Sequence, residues 1–327
     1  MATTQIADII KPEEFTGYVV ANSVERSAFA KSGAAVPNAA INEQLTAGAE
    51  SFKIPFWKDL GDDEANLAND DPIDDATPYK LGSDKQMVRK NFLHNAWGAM
   101  NLASELSGNN ALARIQDRAA AYWERQFSRR LIASMKGILA DNIANDSGDM
   151  VKDISGLAGA LADFNASAVI DAAATLGDGM DALTTIAVHS DIYKRMLQGD
   201  MIATLPDSQG GFIKVFRGLA IVVDDSLPVA TGVYTTALFG PGAFSYGMTA
   251  PRIAAGTEIE NKPSAGNGGG QQILHSRTNL AISPLGYTWL EGSVAAESPS
   301  IAELALAANW NRVAERKAIP LAFLKSK

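Results

Sequence analysis

The stretch NNALARIQDRAAAYWERQFSRRLIASMKGILADNIA, residues 109–144, predicts one long amphipathic helix. Its apolar residues recur at spacings of three and four, which places them on one helix face. Asn109 is a suitable N-cap residue, whereas Gly137 weakens the prediction for the last turn. A helix running to about Ile143 would be roughly 50 Å long, about three times the average in globular proteins. The predicted core stripe is Leu112, Ile115, Ala119, Tyr122, Trp123, Phe127, Leu131, Met135, Ile138 and Leu139.

The polar face of this helix is basic, although the whole chain has a formal net charge of −9. Only Asp117 and Glu124 oppose its basic residues, so we expect the remaining positive charge to meet acidic groups of a partner. A chain that is acidic overall is not suited to binding a nucleic-acid backbone, because that affinity depends on Lys and Arg. It could still enclose nucleic acid. The basic residues are Arg114, Arg118, Arg125, Arg129, Arg130 and Lys136.

A second unusual stretch is LGDDEANLANDDPIDDATPYKLGSDKQMVRK, residues 60–90. It has no helical period and almost no apolar residues. It contains no Lys or Arg before Pro78 and becomes basic from Lys80 onward. Such a polar stretch is expected to lie outside the protein core. Its acidic residues are Asp62, Asp63, Glu64, Asp70, Asp71, Asp74 and Asp75.

The segments on either side of this acidic stretch predict two antiparallel strands. SFKIPFW at 51–57 alternates apolar and polar residues, and Pro55 favours an edge strand. QMVRKNF at 86–92 is expected to be the returning strand. Hairpins usually turn within a few residues, so a connection of about twenty-five residues is expected to be either functional or disordered.

The remainder of the chain has an alternating pattern of strands and helices. The composition after Ser32 predicts an extended arm, and the segment 251–272 predicts a loop rich in Pro, Gly and Ser. Ser190 or Asp191 is expected to cap the second of the helices. Helices are expected at 167–177, 191–199 and, as a short helix or turn, 300–313; strands are expected at 183–190, 218–228, 233–244, 280–293 and near the C-terminus.

Candidate chemical sites are few. The chain contains no Cys, which excludes disulfides and Cys nucleophiles. The acidic stretch could bind Ca²⁺ or Mg²⁺, but it lacks the EF-hand spacing, and a solvated or partner-facing loop is the favoured interpretation. The Gly-rich stretch at 266–270 lacks phosphate-loop spacing and is interpreted as a linker. We therefore expect no enzyme activity, no catalytic residue, no cofactor and no metal.

Five individual residues have an alternative functional interpretation. His189 ends a predicted strand before a helix, a position used by active sites in α/β folds, but a capping role is favoured. Asp224 and Asp225 could hold a metal, but turn residues before Pro228 are the simpler interpretation. The histidines His94, His189 and His275 are far apart in sequence and give a zinc site little support.

The order of these parts resembles the major capsid protein of tailed bacteriophages. TTQIADIIKPEEFTGYVV and KIPFWKDLGD resemble the start of that family, and the run VRKNFLHNAWGAMNLASELSGNNALARIQDRAAAYWERQFSRRLIASMKGIL resembles the approach to its spine helix. TIAVHSDIYKRMLQGD and FRGLAIVVDDSLP are similar to its later strand–helix–strand series. The ending NWNRVAERKAIPLAFLKS is similar to its closing strands. The resemblance covers nearly the whole chain.

The resemblance implies an α+β fold, the tailed-phage major capsid protein fold, with four named parts. These would be an N-terminal arm (1–48), an E-loop hairpin (49–92), a P-domain (93–159 and 251–327) and an A-domain (160–250). It implies a structural protein that forms hexamers and pentamers of an icosahedral capsid around double-stranded DNA, which is enclosed without specific binding. Scaffolding, portal and decoration proteins would be separate partners. A shell protein of an encapsulin-like nanocompartment is the alternative.

The resemblance also suggests what the acidic stretch contacts, because an E-loop lies over a neighbouring subunit. We expect Asp62, Asp63, Glu64, Asp70, Asp71, Asp74 and Asp75 to face basic groups there, with Arg125, Arg129 and Arg130 as their partners. The apolar residues Ile6, Ile9 and Ile10 would add a second contact through the arm.

No signal peptide or membrane span is expected. The location implied is the virion, after assembly in the host bacterial cytoplasm. The alternative function from a different functional class is that of a metal-dependent enzyme.

Overall fold

The computed structural model describes residues 33–58, 60, 64–68, 70–73, 75–107, 111–206 and 212–327. The predicted arm residues Ile6, Ile9 and Ile10 and the predicted N-cap Asn109 lie outside this range. Within the described residues, no helix has both the length and the apolar character needed to cross a bilayer. The α-helices are α1 (Ala39–Thr46), α2 (Asn101–Ser107), α3 (Ala111–Asn145), α4 (Ala166–Ala173), α5 (Ser190–Gln198) and α6 (Ile301–Leu304).

In the described part of the chain, the strands form two larger sheets and two two-stranded sheets. Short 3₁₀ helices occur at 159–162, 174–182, 307–309 and 316–318. The strands are β1 (Ala35–Pro37), β2 (Ser51–Trp57), β3 (Ser83–Arg89), β4 (Asn91–Met100), β5 (Val151–Asp153), β6 (Thr185–Val188), β7 (Ala203–Pro206), β8 (Phe212–Phe216), β9 (Leu219–Val223), β10 (Val229–Ala230), β11 (Val233–Phe239), β12 (Phe244–Thr249), β13 (Thr257–Lys262), β14 (Gln271–Pro284), β15 (Tyr287–Trp289), β16 (Trp310–Arg312) and β17 (Leu321–Ser326).

Helix α3 confirms the long helix predicted from apolar spacing. It contains 35 residues, so it is about 50 Å long at 1.5 Å per residue. Most of the predicted stripe is buried, with Trp123, Phe127 and Leu131 in the largest apolar cluster. Ile115 and Tyr122 are only partly buried. The helix also continues through Gly137 to Asn145, so the doubt about its last turn was unfounded.

The five-stranded sheet is built around β14, a strand of 14 residues. Along one edge β14 pairs with β4, and along the other it pairs first with β13 and then with β12. Strand β1 pairs in parallel with β12. Helix α3 packs on one face of this sheet, where the Trp123 indole Nε1 donates to Ser276 Oγ at 2.9 Å.

The second sheet has eight strands and is covered on both faces. Its main order is β5-β17-β11-β6-β9-β8-β7, with β10 paired to β11. In β17, Leu321 and Phe323 join the cluster around α3, while Ala322 and Leu324 join a second cluster with α4 and α5. Strands buried on both faces are expected to read as continuous apolar runs, which explains the apolar sequence near the C-terminus.

Two predictions about local structure are corrected. Residues after Ser32 were expected to form an unpacked arm, but α1 is capped by Asn38 and buries Ile41 and Leu45 against the five-stranded sheet. The segment 251–272 was expected to be a loop, but it contains β13, whose polar residues face outward from a sheet edge.

Several predicted boundaries also shift. The predicted strand 233–244 is two strands, β11 and β12, separated by a turn. The predicted strand 218–228 ends at Val223, because residues 224–228 form the turn that contains Asp224 and Asp225. The returning strand predicted at 86–92 is divided between β3 and β4.

Candidate inter-subunit surfaces

The hairpin β2–β3 is the structural base of the acidic stretch. The two strands pair from Ser51 opposite Arg89 to Trp57 opposite Ser83. Phe52, Ile54 and Phe56 face inward along β2 and Lys53 and Pro55 face outward, as their alternation predicts. The chain between Lys58 and Gly82 is hereafter the long loop (residues 58–82).

Arg89 anchors the base of the hairpin to the rest of the subunit. Its side chain is buried, and its Nη1 lies 3.0 Å from a Glu50 oxygen and 2.8 Å from Glu291 Oε1. Its Nη2 donates to the carbonyl oxygen of Glu297 at 2.7 Å. Charge-assisted hydrogen bonds of this kind are among the stronger polar contacts in proteins, so Arg89 fixes the direction in which the hairpin leaves the subunit.

Neighbouring residues reinforce this anchor. Gln86 Nε2 donates to Ser283 Oγ at 2.9 Å, and the Met87 backbone N–H donates to Thr288 Oγ1 at 2.8 Å. Lys90 is almost completely buried and donates to the carbonyl oxygen of Ala47 at 2.6 Å. Burial lowers the pKa of Lys90. A buried amine with a specific carbonyl acceptor holds α1 and the hairpin base in one arrangement.

Beyond this anchored base, the described residues of the long loop are exposed from Lys58 to Leu81, and Gly82 is partly buried. Glu64, Asp70, Asp71 and Asp75 are all exposed, so four of the predicted contact acids lie at the surface. The Asn66 amide donates to the Thr77 carbonyl oxygen at 3.1 Å, which joins the two sides of the loop. The other predicted acids, Asp62, Asp63 and Asp74, lie outside the described residues.

The end of β2 and the long loop also carry exposed apolar side chains that sequence reasoning missed. Trp57, at the end of β2, is 72% exposed, Leu67 is 83% exposed and Ile73 is 87% exposed. Leu60 and Tyr79 are exposed as well. Single exposed apolar residues are ordinary on protein surfaces, but several along one loop indicate an interaction surface. The signal was present in the sequence as aliphatic residues at intervals within the acidic stretch.

A groove lies between the C-terminal half of β4 and the N-terminal half of α3, with a volume of about 550 Å³. Its apolar lining includes Trp97, Met100 and Tyr122, and the Trp97 and Tyr122 rings meet edge to face at 5.1 Å. Arg114, Arg118 and Arg125 also line it. We call it the arginine groove, defined by Trp97–Met100, Arg114, Ile115, Arg118, Ala119, Tyr122 and Arg125.

The three arginines predicted as contact residues have different environments. Arg125 and Arg129 are exposed on α3. Arg130 is buried, and its Nη1 donates to Asn91 Oδ1 at 2.9 Å and to the Pro299 carbonyl oxygen at 2.8 Å. Burial lowers the pKa of Arg130. The predicted contact of Arg130 with a neighbouring subunit is therefore corrected. Its guanidinium instead joins β4 to the chain at Pro299 within the same subunit.

The residues considered as possible chemical sites make helix-capping and turn contacts. His189 is the N-cap of α5 and accepts from the Asp191 backbone N–H at 3.2 Å, which confirms the capping interpretation and corrects the expected cap at Ser190 or Asp191. Asp224 and Asp225 accept from the backbone N–H groups of Ser226 and Ser190. Among the described residues, no group of three or more His, Asp or Glu side chains is arranged to hold a metal ion. The Gly-rich stretch 266–270 is the turn between β13 and β14.

Comparison with known proteins identifies the family. Residues 29–319 match the family model described as Gp13-like, major capsid protein 13-like. The chain belongs to this family of phage major capsid proteins. It is 33% identical to the major capsid protein of Bacillus phage SPP1 over 333 residues, which cover 99% of this chain and 98% of that protein.

Solved capsid structures share the fold of this Gp13-like chain. The cyanophage Pam1 capsid asymmetric unit aligns with a TM-score of 0.57 and 11% identity, covering 93% of this chain and 92% of that one. A structure from Microbacterium phage Oxtober96 aligns with a TM-score of 0.53 and 13% identity, covering 99% and 95%. The fold is therefore the α+β fold of tailed-phage capsid proteins, as the resemblance implied. The chain is a structural protein of a phage virion, and the encapsulin-like alternative is not favoured.

Proposed function

We propose that copies of this Gp13-like protein associate through hexamers and pentamers into an icosahedral shell that encloses double-stranded DNA, in the host bacterial cytoplasm. One observation carries the proposal beyond family membership: a single chain displays two complementary surfaces. The long loop is acidic with exposed apolar side chains, and the arginine groove is apolar with basic residues along it. Such a pair of surfaces on one chain allows each copy to bind the next.

The described residues of the loop from Lys58 to Leu81 are exposed on the single subunit, which leaves their surface available to a second copy. Leu67 and Ile73 are each more than four-fifths exposed, and Glu64 and Asp75 are exposed beside them. We propose that these residues lie over the arginine groove of a neighbouring subunit, near its Arg125 and Arg129. Asp62, Asp63, Asp70, Asp71 and Asp74 belong to the same proposed contact.

Apolar burial would supply most of the binding free energy at this contact. A fully buried aliphatic or aromatic side chain contributes about 1.5–3 kcal/mol, whereas an exposed ion pair contributes about 0–1 kcal/mol. The charges are then expected to set orientation and partner choice more than affinity. Repetition over many neighbours multiplies these modest energies into a stable shell.

The four-part division into arm (1–48), E-loop hairpin (49–92), P-domain (93–159 and 251–327) and A-domain (160–250) remains part of this proposal. The pairing of β17 with β11 joins the chain end to the proposed A-domain. We also propose that scaffolding, portal and decoration proteins are separate chains and that this chain is not an enzyme. The net charge of −9 favours DNA that is enclosed without adhering to the shell.

Electron microscopy of the purified, overexpressed chain tests the assembly directly. We expect closed particles, alone or with a co-expressed scaffolding protein, that contain no enzyme cargo. The proposal would be contradicted if the protein stayed monomeric in sedimentation velocity at every protein and salt concentration, even with the scaffolding protein present. Tight DNA binding by the dispersed subunit at physiological salt would contradict the part concerning DNA.

Reversing two exposed charges on α3 tests the proposed charge pairing. Arg125→Glu combined with Arg129→Glu should weaken assembly more at about 0.05 M salt than at about 0.5 M, because salt shortens the range of exposed charges. The expected loss is about 1 kcal/mol per contact, measured as a rise in the protein concentration needed for assembly. Arg217→Glu combined with Arg252→Glu is the matched control, since both arginines are exposed but lie outside α3. Equal losses in the two variants, or no dependence on salt, would refute the pairing.

A further inference from the structure

Two of the three histidines in the chain meet in the folded subunit, although 181 residues separate them. His94 on β4 and His275 on β14 are diagonal neighbours in the strand pairing. Their rings are stacked, with centroids 5.3 Å apart and planes inclined by 18°. His94 Nε2 lies 3.0 Å from His275 Nδ1, which is hydrogen-bond distance for two ring nitrogens.

A third residue extends this contact to the edge of the sheet. The other ring nitrogen of His275, Nε2, lies 3.1 Å from Glu260 Oε2 on β13. The polar chain His94–His275–Glu260 therefore crosses three adjacent strands, β4, β14 and β13. It lies on the face opposite α3, because the next residue along β14, Ser276, accepts from Trp123 of α3.

The geometry limits how many protons the pair can hold. A hydrogen bond between two imidazoles needs an N–H on one ring and a lone pair on the other. With both rings neutral, His275 Nε2–H donates to Glu260 and His94 Nε2–H donates to His275 Nδ1. With one added proton, His275 donates from both nitrogens and His94 accepts. With two added protons every ring nitrogen is a donor, so the bond between the rings is lost.

The surrounding charges do not compensate a doubly charged pair. On β13, Glu258 lies 3.0 Å from Arg277, and Glu260 lies 3.4 Å from Lys262, so each carboxylate already faces a cation. Arg277 on β14 lies directly opposite His94. Strand β4 carries no other charged side chain. Two stacked imidazolium rings would therefore add two positive charges to a face whose other charges balance.

We propose that His94, His275 and Glu260 form an acid-sensitive clamp, which joins β4, β14 and edge strand β13 while the pair holds at most one extra proton and opens when both rings are protonated. Opening exposes the outer face of the five-stranded sheet at β13, which pairs only with β14 among the described residues. Mild acid would then weaken the subunit through this sheet, independently of any contact between subunits.

The direction of the titration agrees with this geometry. Partial desolvation of the exposed His94 side chain, followed by the charges of His275 and Arg277, lowers the pKa of His94 below its ordinary value of 6.5. The unfolded chain therefore takes up this proton before the folded chain does. The stability contribution is fully present above pH 6.5 and is lost as the pH falls from there through the folded pKa.

Thermal unfolding at two pH values tests the clamp with one substitution. His94→Gln places an amide N–H near the position of His94 Nε2–H, so the variant keeps a donor to His275 but cannot become charged. At pH values of about 7.5 its Tm should equal that of the parent chain, and at about pH 5 its Tm should be higher by about 2 °C or more. His189→Asn is the matched control: it removes the third histidine, keeps an N-cap side chain and should not reproduce the rise in Tm at about pH 5.

A second measurement does not depend on the His94 variant folding. The chain labelled at histidine gives three imidazole signals in NMR spectra, and we expect one of them, from His94, to titrate below the ordinary histidine range. In His275→Gln that signal should move toward its ordinary value. A His94 signal that titrates identically with and without His275, or an equal fall in Tm with acid in the parent chain and His94→Gln, would overturn the clamp.

Discussion

Replacing residues 59–81 with an Asn-Gly turn should leave a folded chain that forms no closed shells. Lys58 and Gly82 already face each other, since the Lys58 N–H donates to the Gly82 carbonyl oxygen at 2.8 Å. A two-residue Asn-Gly turn is suited to connecting two antiparallel strands at such a point. The anchors of the hairpin base, Arg89, Gln86 and Lys90, all lie outside the replaced segment.

The stability of the single subunit should change little. The described residues of the replaced segment are exposed, so their removal gives up little buried apolar area. Loop closure becomes easier by about 0.6 kcal/mol for each halving of the loop length, which is about 2 kcal/mol at most here. We therefore expect an unchanged or slightly higher Tm and an unchanged circular dichroism spectrum.

Assembly should fail because the loop carries the apolar side chains proposed to bind the neighbouring subunit. Losing Leu60, Leu67, Ile73 and Tyr79 removes about 6 kcal/mol or more of burial per contact, which exceeds what exposed ion pairs can restore. Sedimentation velocity and electron microscopy measure the outcome. Closed particles of normal size from the shortened chain would show that the loop is dispensable.

Two variants of the intact loop separate apolar burial from charge. Leu67→Ser combined with Ile73→Ser should raise the concentration needed for assembly at every salt concentration. Glu64→Gln combined with Asp75→Asn should have a smaller effect that disappears as salt increases. If the charge variant proved the more damaging of the two, binding at this contact would be mainly electrostatic.

Periodicity was sufficient to predict α3 and the hairpin strands, because each has one face against a core. The spacing of Leu112, Trp123 and Phe127 places them on one helix face whatever they pack against. The alternation of Phe52, Ile54 and Phe56 does the same for β2. The family resemblance then supplied the order of the parts, which no single motif in the chain contains.

Features that depend on distant parts of the chain could not be predicted in this way. Arg130 has the local sequence of a surface residue, and only the return of the chain at Pro299, 169 residues later, gives it a buried acceptor. The contact between His94 and His275 similarly requires β4 and β14 to be paired in one register. Strand β13 has few inward-facing apolar residues, so its sequence resembled a loop.

Gly137→Ala should destabilise the folded subunit by about 3 kcal/mol, the largest effect we expect from a single substitution within it. A Cβ atom at this position would lie 2.3 Å from both the Leu304 carbonyl oxygen and the Trp310 Nε1 atom. These two groups are hydrogen-bonded to each other at 2.8 Å. Helix α3 therefore passes so close to the end of α6 that only glycine fits at position 137. This explains why α3 contains a glycine, although glycine weakens a helix.

The sign of this effect distinguishes close packing from helix propensity. In an exposed helix, Ala in place of Gly stabilises by about 1 kcal/mol. At position 137 that gain is outweighed by overpacking of about 1–3 kcal/mol and by disruption of the buried bond between Trp310 and Leu304, about 1–3 kcal/mol. Unfolding in urea measures the free energy of unfolding, with Ala144→Gly as an exposed control on the same helix, expected to lose about 1 kcal/mol.

A double-mutant cycle locates the clash at the indole. Trp310→Phe removes the Nε1 atom that a Cβ at position 137 would approach, so Gly137→Ala should be less harmful in the Trp310→Phe background than in the parent chain. Groups in direct contact commonly show coupling of about 0.5–3 kcal/mol, and we expect a value in that range. Additive losses would place the clash at the Leu304 carbonyl oxygen and not at the indole. A Gly137→Ala chain more stable than the parent would mean that α3 can move away from α6, and that its position against the five-stranded sheet is not fixed by this crossing.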